Sequence, residues 1–153
     1  MSTPIRSGRW CRGVLSLIGM KPTLLNVVKT RGRITAMLAW KRAENGSRPC
    51  NGVQVVGGPK FNGFATTERL PGSTDYNSVH VQNYIDALQG EEATARTLTN
   101  GRYPNILKAL ASGDPTAICT SIANSPWGTG LGALNTLPYV QSNRRAERLR
   151  LIG

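Results

Sequence analysis

The stretch RITAMLAWKRAENG, Arg33 to Gly46, decides the fold. Ile34, Met37 and Leu38, with Ala36 and Trp40 adding weaker apolar bulk, recur at the spacing of one helix face. Asn45 and Gly46 accept the left-handed conformation that closes a helix, so the pattern predicts a helix over 33–44 ending at Glu44. Upstream, Pro22 and Thr23 open a second apolar run, Leu24, Leu25, Val27 and Val28, read as a helix over 23–30 with Gly32 as the interruption.

Downstream the texture changes. Residues 46–79 hold nine glycines and prolines, so a loop-rich lobe is expected, with short strands in GVQVVGG and FATTERL and a turn at PGST. A stretch of that length without helix, inside a small domain, is usually functional. The helical period returns from Val81: Tyr84, Ile85, Leu88, Ala95 and Leu98 share a face, broken near Gly90 and stopped at Asn100-Gly101. Ile106, Leu107, Leu110 and Ala111 make a short helix ending at Ser112-Gly113. Asp114 followed by Pro115 starts the next, which NSPWGTG ends.

The ends are basic. Residues 1–45 carry nine Lys or Arg and one acid, residues 46–142 six of each sign, and residues 143–153 four Arg and one Glu, giving +11 in all. Residues 1–21 read as a basic arm with apolar anchors. Residues 131–153 read as a basic tail or a short helix anchored by Leu149, Leu151 and Ile152. The expected organisation is therefore a single mainly α domain with a small loop- and β-rich lobe over 22–130, flanked by basic N- and C-terminal arms. Such ends suit a polyanionic partner: nucleic acid, a cell-wall polymer or an acidic protein surface. No apolar run reaches the length of a membrane span. The start, RSGRWCRGVLSLIGM, imitates a signal peptide loosely, but its apolar run is short and no small-x-small site follows, so no cleaved signal is expected.

Few residues are equipped for chemistry. Cys11, Cys50 and Cys119 are odd in number and far apart, without a CxxC pair, so neither a disulfide framework nor a structural zinc site is expected. No metal or cofactor is called for: phosphate-cradling, zinc-protease and calcium-loop motifs are all absent. His80, the single histidine, alternates with Val79 and Val81 and reads as structural or exposed; nothing local supports a thiol dyad with Cys50. Carboxylates remain. A glutamate at the end of a helix, among apolar neighbours, has the setting that raises a carboxyl pKa and suits it to donate a proton. On local sequence alone, Glu44 reads first as a solvated charge beside Lys41 and Arg42.

A wider pattern shifts that balance. The helix end AWKRAENG, then FNGFATTERLPGSTDYNSVHVQNY, GEEATARTLTNGRYPNILKALASG and NSPWGTG stand in one order over Ile34 to Gly130. Together they resemble a lysozyme-like domain of actinobacterial phages, found in endolysins and tail-associated cell-wall hydrolases. The resemblance implies a lysozyme-like fold in which Glu44 is the general acid. The loop-rich lobe would line a sugar cleft. Thr66, Thr67, Asn77 and Ser78 would bind glycan hydroxyls or position water, Asp75 would be a possible second carboxylate, and Tyr84 would be the aromatic facing the cleft. Tyr103 matches too, with a core role as its plainer reading, and Trp127 reads as a packing anchor. Departures cluster near the cleft: NG follows the acid where the family has GG, SRPCNGVQVVGGPK is inserted or altered, FNGF stands where the family has NNPL, and His80 replaces a small residue.

The resemblance implies a virion-associated enzyme, made in the bacterial cytoplasm, that cuts peptidoglycan glycan strands as a muramidase or lytic transglycosylase. The alternative is a catalytically inactive lysozyme-like structural protein of the tail or capsid, its arms bound to neighbouring virion proteins. A third reading, nucleic-acid binding through the basic ends, has no recognisable motif in the neutral middle.

Overall fold

The computed structural model describes residues 4–45, 50–51, 54–55 and 57–152. They form a mainly helical protein: α1 (Pro4–Leu17), α2 (Val27–Asn45), α3 (Ala87–Leu98), α4 (Pro104–Ser112), α5 (Pro115–Ala123) and α6 (Gly132–Ile152). Two small antiparallel hairpins sit between α2 and α3. Strand β1 (Cys50–Asn51) pairs with β2 (Gln54–Val55), and β3 (Thr74–Asp75) pairs with β4 (Gln82–Asn83), placing Thr74 opposite Asn83 and Asp75 opposite Gln82.

Both ends are helical over their described residues. Within 1–21, Trp10, Cys11, Val14 and Leu15 recur at helical spacing and are all buried, while Arg9 and Arg12 face solvent. That stripe docks α1 on α2 and α3. Gly13 lies where the Glu91 carboxyl of α3 occupies the space of a side chain. At the other end, Ala133, Leu137 and Val140 bury one face of the first part of α6 against α2 and α5, while Leu149, read as an anchor, is exposed. Pro138 interrupts the helix's backbone bonding from the exposed side.

Helix α2 is continuous where a break was expected, and a 3₁₀ turn over Leu24–Asn26 precedes it. Gly32 is a point of close approach: a Cβ there would run into the Gly113 carbonyl. Gly113 itself ends α4 in the left-handed conformation, φ 73°. Beside it, Arg33 reaches out of α2 to the last carbonyls of α4, Nε to Leu110 O at 2.6 Å and an Nη to Ala111 O at 3.0 Å. Asp114 starts α5 by accepting from Thr116 N at 3.1 Å, as its place before Pro115 predicts.

Helix α3 begins later than the apolar period suggests. Residues 82–83 are committed to the β3–β4 ladder, and Asp86 caps the helix by accepting from Gln89 N at 2.8 Å. Gly90 does not break it; it is buried against the Phe61 carbonyl. FATTERL forms no strand. Its backbone is held by Asn62, fully buried, whose Oδ1 accepts from Thr66 N (2.9 Å) and whose amide donates to Thr66 O and Gln82 O (2.8 Å each). GVQVVGG lies partly outside the described residues, with β2 within it.

The helices enclose an aromatic centre. Trp40 of α2 stacks on Phe64 at 4.3 Å, Trp10 meets Phe64 edge-on at 5.4 Å, and Trp127 meets Trp40 edge-on at 4.6 Å. Phe64 thereby ties the lobe to α1 and α2. Such pairs add specificity of geometry to the burial of large apolar area.

Candidate active site

Glu44 lies in the last turn of α2, half-buried, one turn after the fully buried Trp40. The string SPWGTG crosses this helix end. Its Trp127 packs on Trp40, and its Nε1 donates to Phe64 O at 3.3 Å. Gly128 and Gly130 both take positive φ, 93° and 62°, and between them the loop aims Thr129 inward. Trp40 Nε1 donates to Thr129 Oγ1 at 3.0 Å, and Thr129 Oγ1 donates to Glu44 Oε1 at 2.6 Å. An indole can only donate, so the hydroxyl hydrogen is directed to the carboxylate.

Burial pushes the Glu44 carboxyl above the ordinary carboxylate range, while hydrogen bonding from Thr129 and Trp40 acts in the opposite direction. The negative end of the helix dipole also disfavours its charge. The arrangement supplies a carboxyl that holds a proton more readily than a solvated glutamate and is fixed at one oxygen. Gly46 and residues 47–49, which follow it, lie outside the described residues.

The other residues singled out by sequence fall into three groups. Asp75, at the end of β3, is exposed and engaged: Oδ2 with His80 Nδ1 at 2.8 Å, Oδ1 with Gln82 Nε2 at 2.6 Å and an Arg69 Nη at 3.4 Å. The His80 and Gln82 hydrogen bonds chiefly hold its carboxyl below the usual range. Its partners all belong to the lobe, and none is Glu44. His80 is thus a partner of Asp75, held at positive φ (67°), and the Cys50 side chain lies outside the described residues.

Thr66 and Tyr84 are buried together. The Thr66 hydroxyl is 2.8 Å from the Tyr84 hydroxyl, which also donates to Glu68 O at 2.7 Å. Burial pushes the Tyr84 phenol up to about 12. Tyr84 packs with Leu70 and Ala93, so its ring pins the lobe to α3 and is not the cleft-facing aromatic expected. The Thr66 hydroxyl is likewise committed inside the lobe. Thr67, Asn77 and Ser78 are exposed, and Asn77 Oδ1 holds the hairpin turn by accepting from Val81 N at 3.1 Å.

Tyr103 is buried in the core, 4.9 Å from Trp127. It also lines a groove of about 530 Å³ between α4 and α5, with Arg102, Asp114, Thr116 and Thr120. A second groove, of about 300 Å³, lies between α2 and α6. Glu44 lines neither of these two.

Sequence reasoning passed over Thr129. The signal was present: a threonine between two glycines, next to a tryptophan, is a polar side chain on a loop built to approach something closely. No described helix is long and apolar enough to cross a membrane. No protein-family model, curated protein or solved structure matches the chain.

Proposed function

We propose that this chain is a lysozyme-like, virion-associated phage enzyme that cleaves peptidoglycan glycan strands, with Glu44 as the general acid. The observation that carries the reading is the Trp40–Thr129–Glu44 chain of hydrogen bonds. It joins the two most distinctive strings of the resemblance, AWKRAENG and SPWGTG, at one raised-pKa carboxyl. Glycoside cleavage needs such a group to protonate the departing oxygen.

Asp75 is bound to three partners of its own lobe, which favours a route with one working carboxyl. Protonated Glu44 gives its proton to the glycosidic oxygen as the C–O bond breaks. The resulting carboxylate then takes a proton either from an attacking water or from a hydroxyl of the cleaved sugar. The first gives a reducing end, the second an internal anhydro ring. The chain would be made in the bacterial cytoplasm and act at the wall as part of a particle, with other virion proteins as neighbours. The inactive structural alternative drew on the departures around the cleft and on the basic ends; of those ends, α1 and the first part of α6 pack into the core.

Purified actinobacterial peptidoglycan, incubated with wild type and Glu44→Gln, tests the proposal. Wild type should release soluble fragments whose ends, read by mass spectrometry, are reducing or anhydro, and Glu44→Gln should release none. A folded wild type that releases nothing from several wall types overturns it.

A further inference from the structure

At the start of α2 the protein holds large apolar side chains in water. Leu24 is 94% exposed, Leu25 100% and Val28 76%. This is an ordered tip. Asn26 Oδ1 accepts from Thr23 N at 2.8 Å and from Thr30 Oγ1 at 2.9 Å, and the Asn26 amide donates to Lys21 O, fixing the 3₁₀ turn that carries both leucines. A contiguous exposed apolar patch on an ordered element marks a contact site.

The surroundings of the tip are cationic. Lys21 and Lys29 flank it in the chain, and the nearest acid along the chain is Glu44. Val28 also forms one wall of the groove of about 300 Å³ between α2 and α6, whose other walls include Arg31, Arg144 and Arg145. No acidic residue lines that groove. Apolar tip and arginine pocket are therefore one continuous surface, joined through Val28.

We propose that this surface binds the anionic phospholipid face of a membrane, with Leu24 and Leu25 entering the acyl boundary and Arg31 and Arg145 holding headgroup phosphates. Charge complementarity selects an anionic partner. The leucines select among anionic partners: a nucleic acid or a phosphate polymer in water rewards the arginines and leaves Leu24 and Leu25 solvated. Their near-complete exposure describes a knob without walls, and a fluid interface closes around a knob of any shape. The site is separate from Glu44 and independent of glycan cleavage.

The test is co-sedimentation of the full chain with large vesicles of phosphatidylcholine alone or mixed with phosphatidylglycerol. Leu24→Ser/Leu25→Ser and Arg31→Gln/Arg145→Gln are measured beside wild type, each checked for an unchanged melting curve; all four residues are exposed. Wild type should pellet with the mixed vesicles and stay in solution with phosphatidylcholine. Each double variant should bind the mixed vesicles roughly tenfold more weakly or worse. Wild type that ignores the mixed vesicles overturns the proposal. So does unchanged binding by the leucine variant, which would reduce the surface to a general polyanion site. A wild-type dimer in sedimentation velocity, abolished by the leucine variant and without vesicle binding, would assign the tip to a second copy of the chain and overturn it equally.

Discussion

Thr129 Oγ1 donates to Glu44 Oε1 at 2.6 Å, across 85 positions of sequence. The hydroxyl has one hydrogen, and because Trp40 Nε1 already donates to its oxygen, that hydrogen goes to the carboxylate. The bond favours the charged carboxylate, and burial favours the protonated carboxyl; burial is the larger effect.

Glu44→Gln should therefore separate activity from stability. Loss of the proton donor should lower glycan cleavage by roughly 100- to 10,000-fold. Stability should move the other way. A carboxyl whose folded pKa lies above its unfolded value contributes most below the unfolded pKa and loses that contribution as pH rises through the folded one. At neutral pH the uncharged Gln escapes this penalty and keeps an acceptor for Thr129. Thermal melts should show the variant more stable by a few degrees at pH 7. The gap should close below the ordinary carboxylate range, where both side chains are neutral.

Thr129→Val keeps the shape and removes the donor. The Glu44 pKa should rise further, moving the alkaline limb of the pH–rate profile to higher pH. The carboxyl also loses its fixed orientation, so kcat should fall roughly tenfold. Thr129→Ser should restore both. A Val variant with an unmoved pH profile would show that the hydroxyl does not act on the acid.

Asp75→Asn separates the two routes. With one working carboxyl, cleavage should stay within roughly threefold of wild type; a loss of 100-fold or more would identify Asp75 as the second carboxylate. Because its folded pKa is depressed, the stability it lends the β3–β4 hairpin is present above the ordinary Asp range and fades as pH falls through the folded value. Wild type and variant should converge in acid, read by proteolysis of the 74–83 hairpin.

Gly32→Ala should destabilise by roughly 1–3 kcal/mol in denaturant melts, because the added methyl meets backbone, the Gly113 carbonyl, and α2 and α4 must part to admit it. The Arg33 bonds to Leu110 O and Ala111 O span the same contact and should loosen with it.

The locally coded elements were legible in the sequence. Gly113, Asp114 and Pro115 punctuate α4 and α5 by rules that act within a few residues, and the structure follows them. The loop-rich lobe was also legible as a region. What escaped depends on distant partners. Gly32 and Gly90 look like breakers until the Gly113 carbonyl and the Phe61 carbonyl arrive beside them. The arginines of α1 disguised a buried stripe. At the site, Glu44 stood out through the wider resemblance and not through its helix end alone, and Thr129 has no meaning as its partner until the chain has folded across 85 positions. Thr66 and Tyr84 were read as a glycan-facing hydroxyl and a cleft-facing aromatic, yet inside the lobe their hydroxyls meet each other.

The separation of Glu44 from Thr129 also orders events during synthesis. A ribosome delivers the carboxyl long before the loop that tethers it, and that loop leads directly into α6, which packs along the helix bearing Glu44. A growing chain thus carries Glu44 without its Thr129 donor until synthesis has passed position 129. Translation itself is the timer of that bond.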